Sequence, residues 1–104
     1  SSDNELIVCH DRSPTRTTNF NEQDVTWDQL SLAQIKELDA GYLFQDPTNP
    51  TPFPFRGQDI RIPTFREVLT QFPDVLINID MKYHEPKIAK ILFDVLSEHN
   101  ARER

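Results

Sequence analysis

Two short stretches of the chain have the hydrophobic pattern of β-strands. Residues 5–9 form a nearly continuous run of apolar and β-branched side chains, which favours a strand buried on both faces, as in a parallel sheet. In residues 75–83, apolar and polar positions alternate, so that one face is wholly apolar and the other carries Leu76, Asn78, Asp80 and Lys82. The pattern therefore predicts one strand near the start of the chain and one near its end.

Three other stretches have helical spacing. Ser31 and Gln34 form a capping-box pattern at the start of a helix over 32–39, for which Gly41 supplies a stop. Thr64 and Glu67 repeat the capping pattern, and the apolar face of that helix ends before Pro73. A third helix begins at a first-turn proline and runs to about residue 100, with one apolar face: Pro86, Ile88, Ile91, Leu92, Val95 and Leu96.

Two long segments lack such periodicity. Residues 12–27 are rich in Thr, Asn and Asp and predict a loop, and residues 45–63 contain five prolines with phenylalanines between them, which predicts a long ordered loop or lid. Strands that alternate with helices, without hairpin signals, indicate an α/β fold with a parallel sheet. A parallel sheet with an open edge would also favour self-association.

Composition excludes several classes of function. The 104 residues carry 11 Lys and Arg against 17 Asp and Glu, for a formal charge of -6, and no basic cluster that would bind nucleic acid is present. Two glycines sixteen residues apart exclude a glycine-rich nucleotide loop, and one cysteine excludes an internal disulfide, so that a reducing compartment such as the cytoplasm is the default. No apolar run is long enough for a membrane span or a signal peptide.

The second predicted strand carries the most informative polar residues. Asp80 and Lys82 lie two apart on its polar face, at the C-terminal end where active sites of parallel α/β folds are found. Burying a carboxylate and an ammonium is costly unless they are paired or bind a ligand. A structural ion pair on a solvated face explains the pattern about equally well.

The first predicted strand ends in His10 and Asp11, also at a C-terminal end. A histidine can give or take a proton near neutral pH, although a lone His-Asp dipeptide is more often a structural pair. His84 could join the same end of the sheet but suits a structural role at a helix start, and His99 is expected to be exposed to solvent. Cys9 faces away from His10 by strand alternation, so inert packing is its expected role.

Four segments, in order, resemble the glycerophosphodiester phosphodiesterase family. They are Ile7-Val8-Cys9-His10-Asp11 with Arg16-Thr17-Thr18-Asn19; Leu30-Ser31-Leu32-Ala33-Gln34-Ile35-Lys36 with Leu38-Asp39-Ala40-Gly41; Ile62-Pro63-Thr64-Phe65 with Glu67-Val68-Leu69; and Ile77-Asn78-Ile79-Asp80-Met81-Lys82. Each segment alone is weakly specific, but four in register over nearly the whole chain are specific. The last of them also resembles lysophospholipase D members.

The resemblance implies a (β/α)8 barrel that hydrolyses a phosphodiester with Ca²⁺ or Mg²⁺. His10 matches one of two acid-base histidines, with Asp11 as a possible support. Asp80 matches a metal-binding carboxylate that is usually Glu in the family, and Lys82 matches a basic residue suited to the substrate phosphate. Hard cations prefer carboxylate oxygens, and a cation with a lysine can offset phosphoryl charge.

The family's His-Arg-Gly and Glu-x-Asp motifs, which supply the other histidine and most metal ligands, are not in these residues. A (β/α)8 barrel takes about 250 residues, so we expect residues 1–104 to be an internal part of such a domain and inactive alone. The expected activity of the parent enzyme is hydrolysis of small glycerophosphodiesters to glycerol 3-phosphate and an alcohol. The alternatives are a lysophospholipase D whose 45–63 lid grips an acyl chain, and a non-catalytic domain that binds a phosphorylated ligand or partner.

Overall fold

The structure, a computed structural model, describes residues 1–48, 50–83 and 85–99. A short 3-10 helix, Trp27–Gln29, is followed by three α-helices: α1 (Leu32–Lys36), α2 (Phe65–Gln71) and α3 (Pro86–Glu98). The radius of gyration of 15.0 Å exceeds the ~13 Å typical of a compact domain of this length. The chain is therefore more open than an ordinary small domain. Within the described residues, no helix is long and apolar enough to span a bilayer.

The predicted first helix is present but shorter than expected. Ser31 Oγ accepts from the backbone N–H of Gln34, and the Gln34 side chain accepts from the backbone N–H of Ser31, so the capping box is confirmed. The helix ends at Lys36 rather than at residue 39. Beyond Lys36, the N–H groups of Glu37 and Leu38 donate to carbonyls three residues back, and the Asp39 N–H donates to the side chain of Asn19.

The other two predicted helices are confirmed with small changes at their ends. Thr64 Oγ1 accepts from the N–H of Glu67 at the start of α2, which ends at Gln71, just before Phe72 and Pro73. Pro86 opens α3, where its missing N–H is no loss. The predicted end of α3 at Asn100, like the predicted role of His84, lies outside the described residues.

The predicted parallel sheet is not confirmed, since it does not form among the described residues. Their only bridge joins Ile7 to Thr64, and it is antiparallel. The backbone N–H of Val8 donates to Pro63 O at 3.0 Å, and that of Phe65 donates to Leu6 O at 2.9 Å. The extended segment 5–9 thus pairs with the chain entering α2 and not with residues 75–83.

The second predicted strand is also absent, since residues 75–82 make no strand pairing in the described part of the chain. Leu76 is 82% exposed, and Val75 and Ile79 are exposed too. Alternation of apolar and polar side chains gives a segment two distinct faces, but a strand forms only where the backbone of a neighbouring strand can exchange N–H···O=C hydrogen bonds with it. The described residues supply no such neighbour for this segment. With no sheet formed here, the open edge assumed for self-association is not seen either, and self-association stays a prediction.

The core is split into two small clusters. The first consists of Trp27, Leu30, Ile35 and Ile62, against which Ile7, Cys9, Phe20, Val25, Leu38 and Ala40 pack. The second consists of Phe65 and Leu69 from α2 with Val95 from α3, and Ile77 packs against it. The segment 5–9 contributes Ile7 to the first cluster and Leu6 to the second, and so connects the two.

The proline-rich loop folds onto the end of the first core cluster. Phe55 packs so closely over Gly41 that a Cβ at this glycine would lie 2.5 Å from Phe55 O. The guanidinium of Arg56 lies between the rings of Tyr42 and Phe53, 3.8 Å from each centroid. The loop is therefore held by its own aromatic and cation-π contacts.

Candidate functional site

A chain of three polar side chains begins where segment 5–9 ends. His10 Nδ1 lies 2.8 Å from Asp11 Oδ1. The guanidinium of Arg16 donates from Nε to Asp11 Oδ2 at 2.5 Å and from its terminal nitrogen to Asp11 Oδ1 at 2.9 Å. Asp11 thus accepts a two-pronged arginine contact while it contacts the imidazole. The His10 side chain is 79% exposed, so the ring nitrogen that does not contact Asp11 is accessible to a ligand.

A tight turn brings Arg16 to Asp11. Both the backbone N–H and the hydroxyl of Thr18 donate to Pro14 O, at 3.1 and 2.7 Å. The same hydroxyl accepts from the N–H of Phe20, and Thr18 is only 1% exposed. Because Thr18 fixes the base of the turn, Arg16 at its tip is directed back along the chain.

Trp27 and Tyr83 hold the backbone on either side of this cluster. The indole N–H of Trp27 donates to Asp11 O at 2.9 Å, and the Trp27 backbone N–H donates to Arg12 O at 3.1 Å. The Tyr83 hydroxyl donates to the same Arg12 carbonyl at 3.0 Å, and the guanidinium of Arg12 lies 5.3 Å from the ring centroid of Tyr83. Tyr83 therefore ties the end of segment 75–83 to the end of segment 5–9.

Asp80 and Lys82 form an ion pair, with Nζ 2.8 Å from Oδ2. Both side chains lie on the same side of the segment, as the alternation predicted. Asp80 is largely exposed, whereas Lys82 is about one-third exposed. The pairing agrees with a structural ion pair and is also compatible with a role toward an anionic ligand.

One cavity of about 740 Å³ brings the two polar pairs to a common space. His10, Asp80, Lys82 and Tyr83 are among the residues that line it, and Asp11 contacts His10 without lining the cavity itself. The apolar part of the wall comes mainly from the two extended segments, α2 and α3, and includes Leu6, Ile7, Ile77, Ile79, Ile88, Ile91 and Leu92. Residues far apart in sequence thus meet at one surface.

Hydrogen bonds and burial shift the pKa values of three groups in or near this cavity. The Arg16 guanidinium, with a smaller contribution from His10, holds the pKa of Asp11 well below its usual range, so Asp11 is ionised at neutral pH. Burial raises the pKa of Tyr83, with the Asp28 charge adding to the effect, so its hydroxyl stays a donor. Burial likewise raises the pKa of the Cys9 thiol, which agrees with the predicted packing role of Cys9 against the first core cluster.

The described residues do not form a complete cation site. Nowhere in 1–48, 50–83 or 85–99 do three side chains of the Asp, Glu, His or Cys type gather closely enough to hold a metal ion. Ca²⁺ takes about six to eight oxygen ligands and Mg²⁺ about six, waters included. Asp80 has the right donor chemistry for such an ion but supplies one carboxylate only.

Two contributors to this surface were not among the predicted site residues. Arg16 lay in a recognised motif without an assigned role, and nothing in the spacing of Asp11 and Arg16 reveals a turn that joins them. Tyr83 was assigned to the apolar face of a strand, whereas its hydroxyl reaches Arg12 O. The described part of loop 45–63 does not line the cavity, and His99 is half-buried, with Nδ1 3.0 Å from Val95 O, rather than exposed.

The sequence matches one protein family over almost its whole length. Residues 1–101 match the glycerophosphoryl diester phosphodiesterase family. A "Glycerophosphodiester phosphodiesterase" of Caldanaerobacter subterraneus subsp. tengcongensis is 37% identical over 109 residues, which cover 100% of this chain and 40% of that protein.

Two mammalian proteins are also similar. "Lysophospholipase D GDPD1" of Homo sapiens is 29% identical over 102 residues, which cover 96% of this chain and 30% of that protein. The Mus musculus protein of the same name is 30% identical over 101 residues. The chain therefore spans between 30 and 40% of the length of these curated relatives.

Proposed function

Because the chain belongs to the glycerophosphoryl diester phosphodiesterase family, we propose that it supplies part of a site that hydrolyses glycerophosphodiesters to glycerol 3-phosphate and an alcohol. Residues 1–104 would form an internal portion of a (β/α)8 barrel domain, with the loop 45–63 on its surface. The observation that carries the proposal is the cavity that His10, Asp80 and Lys82 all line, with Asp11 in contact with His10.

His10 is the proposed acid-base group. Its Nδ1 faces the ionised Asp11 carboxylate, which favours the tautomer with a proton on Nδ1 and leaves the lone pair on Nε2. That nitrogen can take a proton from an attacking hydroxyl or water, or return one to the leaving oxygen. In Asp-His pairs of this kind, the carboxylate orients the ring and stabilises the imidazolium that forms.

Lys82 is the proposed phosphate-binding group. Lys82 lines the cavity, and its ammonium contacts Asp80 through one of three possible donors. The remaining donors can reach phosphoryl oxygens, where a fixed positive charge stabilises the negative charge of the transition state. Asp80 then holds the Lys82 ammonium in position to contact the substrate phosphate.

Members of this family generally use divalent cations, and Asp80 is the one residue here proposed to contribute a ligand. A single carboxylate does not bind Ca²⁺ or Mg²⁺ firmly. Further oxygen ligands would have to come from outside the described residues.

The apolar wall of the cavity favours a second candidate, lysophospholipase D activity. Nine aliphatic residues line the cavity, namely Leu6, Ile7, Val8, Val68, Ile77, Ile79, Ile88, Ile91 and Leu92. Burial of an acyl chain against them would be favourable by about 0.8 kcal/mol per methylene. The acyl chain would contact α3 and the two extended segments. This differs from the sequence-based expectation that loop 45–63 grips it.

Rates on two substrates test the proposal. The full-length protein that contains this chain is given glycerophosphocholine or lysophosphatidylcholine with Ca²⁺ or Mg²⁺, and products are followed by phosphorus NMR. Release of glycerol 3-phosphate supports the first candidate, and release of lysophosphatidic acid supports the second. Binding of either substrate without turnover would contradict both and favour a non-catalytic binding domain. The 104-residue chain alone is expected to be inactive, and robust hydrolysis by it would contradict the assignment of a partial site.

A further inference from the structure

We propose that Arg16 is a positioning residue for this site: its guanidinium fixes the Asp11 carboxylate, which in turn fixes the imidazole of His10. The functional meaning of this arrangement rests on the proposed phosphodiesterase activity. The structural part, that Arg16 determines the orientation and tautomer of His10, stands on geometry alone. Neither part was expected from the spacing of these residues in the sequence.

The geometry leaves Asp11 little freedom. Two nitrogens of Arg16 bind its two carboxylate oxygens at 2.5 and 2.9 Å, so the plane of the carboxylate is set by a two-point contact. The Asp11 backbone is fixed as well, because its carbonyl accepts from the indole of Trp27. Besides its contact with Arg16, Oδ1 of Asp11 also contacts Nδ1 of His10, at 2.8 Å.

His10 depends on this contact because packing does not restrain it. With a side chain that is 79% exposed, the imidazole has no surrounding wall to select one ring orientation. The hydrogen bond to Asp11 therefore determines which nitrogen carries the proton and which is directed outward. If the carboxylate rotates, the ring is free to turn and to change tautomer.

Buried hydrogen bonds of Thr18 hold the turn that carries Arg16. Thr18 is 1% exposed, and its hydroxyl both donates to Pro14 O and accepts from the N–H of Phe20. These bonds close the turn at whose tip Arg16 lies. A lysine at this position would reach Asp11 with a single point of contact, whereas the planar guanidinium matches both carboxylate oxygens. The arrangement therefore specifies arginine.

A merely structural ion pair would have a different signature. Exposed pairs of this type stabilise proteins by about 0–1 kcal/mol, and Arg16 is 64% exposed. Loss of a structural pair would lower stability slightly and leave the tautomer of His10 unchanged. Loss of a positioning residue would change the tautomer while the fold is retained.

The test is nitrogen NMR of the His10 ring in the full-length protein, at a pH at which the imidazole is neutral. Wild type should show mainly the form with the proton on Nδ1. Arg16→Ala should move the population toward the form with the proton on Nε2, and Arg16→Lys should give an intermediate result. The matched control is Arg12→Ala, which removes a neighbouring positive charge that does not contact the Asp11 side chain.

Two outcomes would overturn the inference: a wild-type tautomer in folded Arg16→Ala, or an equal change in Arg12→Ala. If Arg16→Ala loses the native amide spectrum, Arg16→Gln replaces it, since that side chain keeps the length without the charge, and the same two outcomes apply. The measurement needs no turnover, so its failure is distinct from failure of the proposed function. In an active enzyme, Arg16→Ala should lower kcat about 10- to 100-fold with little change in KM, and a change in KM alone would contradict the positioning role.

Discussion

The two segments that carry the candidate site residues are held in very different ways. Segment 5–11 pairs with the chain entering α2, contributes to both core clusters and ends in the Asp11–Arg16 contact. Segment 75–83 has no strand pairing among the described residues, and its Leu76 is exposed. It is joined to the residue after segment 5–11 by the hydrogen bond from the Tyr83 hydroxyl to Arg12 O.

This difference shows that the surroundings of His10 are formed by residues nearby in sequence, whereas those of Asp80 depend on other parts of the structure. The surroundings of His10 are completed by residues within about twenty positions in sequence, namely Asp11, Arg16, Thr18 and Trp27. The surroundings of Asp80 include its partner Lys82, whereas the backbone of residues 75–82 has no strand pairing with any other described residue. We therefore expect the first half of the surface to be preorganised and the second to depend on additional structure.

The largest expected effect comes from breaking the first segment at Trp27. Its side chain is 2% exposed, packs in the first core cluster and bonds to Asp11 O. Trp27→Ala should lower the free energy of unfolding by about 3–5 kcal/mol, measured by urea denaturation. Leu76→Ala, in the second segment, should change it by about 0.5 kcal/mol or less. Similar losses from the two variants would contradict the comparison.

Lys82 gives the next largest effect, on substrate rather than on stability. Lys82→Gln should lower kcat/KM by about 10- to 100-fold, since hydrogen bonds to charged groups contribute about 1.5–3 kcal/mol. Lys87 lines the same cavity from α3 and is not paired with Asp80, so Lys87→Gln is the matched control. An equal loss in both variants would indicate a general effect of positive charge and no specific role for Lys82.

The sequence predicted features that depend on residues close in sequence better than features that depend on distant ones. Helix starts were predicted well, because Ser31 and Thr64 act through bonds to residues three positions away. The predicted parallel strand pairing is not confirmed among the described residues, because alternation over 75–83 sets the faces of a strand and does not identify the neighbouring strand it needs. The shared face of Asp80 and Lys82 allowed both an ion pair and a ligand-binding role, and the structure shows the two side chains paired.

The contact of Arg16 with Asp11 could not be predicted, because it depends on the turn closed by the buried hydroxyl of Thr18. The role of Tyr83 was also outside the reach of the sequence. Its hydroxyl meets a carbonyl 71 positions away, and such long-range contacts depend on the packing of the whole chain. The roles of His10, Asp80 and Lys82 came from family resemblance and remain proposals.

Tyr83→Phe tests the connection between the segments with a smaller expected effect. It removes the hydrogen bond to Arg12 O and keeps the ring, so the loss of stability should be about 0.5–1.5 kcal/mol. Hydrogen exchange at the amides near residues 12 and 83 should become faster. Tyr42→Phe, which keeps the ring that contacts Arg56, is the control. Unchanged exchange near residue 12 in Tyr83→Phe would contradict the connection.

The smallest expected effect is the pH dependence of the Asp11 contact. The folded-state pKa of Asp11 lies below the unfolded value of about 3.9 because Arg16 and His10 favour the ionised form. Its stabilising contribution is therefore complete above about pH 4–5 and is lost as the pH falls further toward the folded-state pKa. The difference in thermal midpoint between wild type and Asp11→Asn should be constant near neutral pH and shrink below about pH 4. A difference that grows on acidification would have the wrong sign.

The central claim, that this chain provides the acid-base histidine of a phosphodiesterase site, is tested most directly by turnover of glycerophosphocholine in His10→Ala. The full-length variant should lose about 10²- to 10⁴-fold in kcat while its affinity for the divalent cation is largely unchanged. The matched control is His99→Ala, since His99 contacts the end of α3 and lies away from the cavity. This control should retain near wild-type turnover. Turnover of His10→Ala within about twofold of wild type would contradict the account.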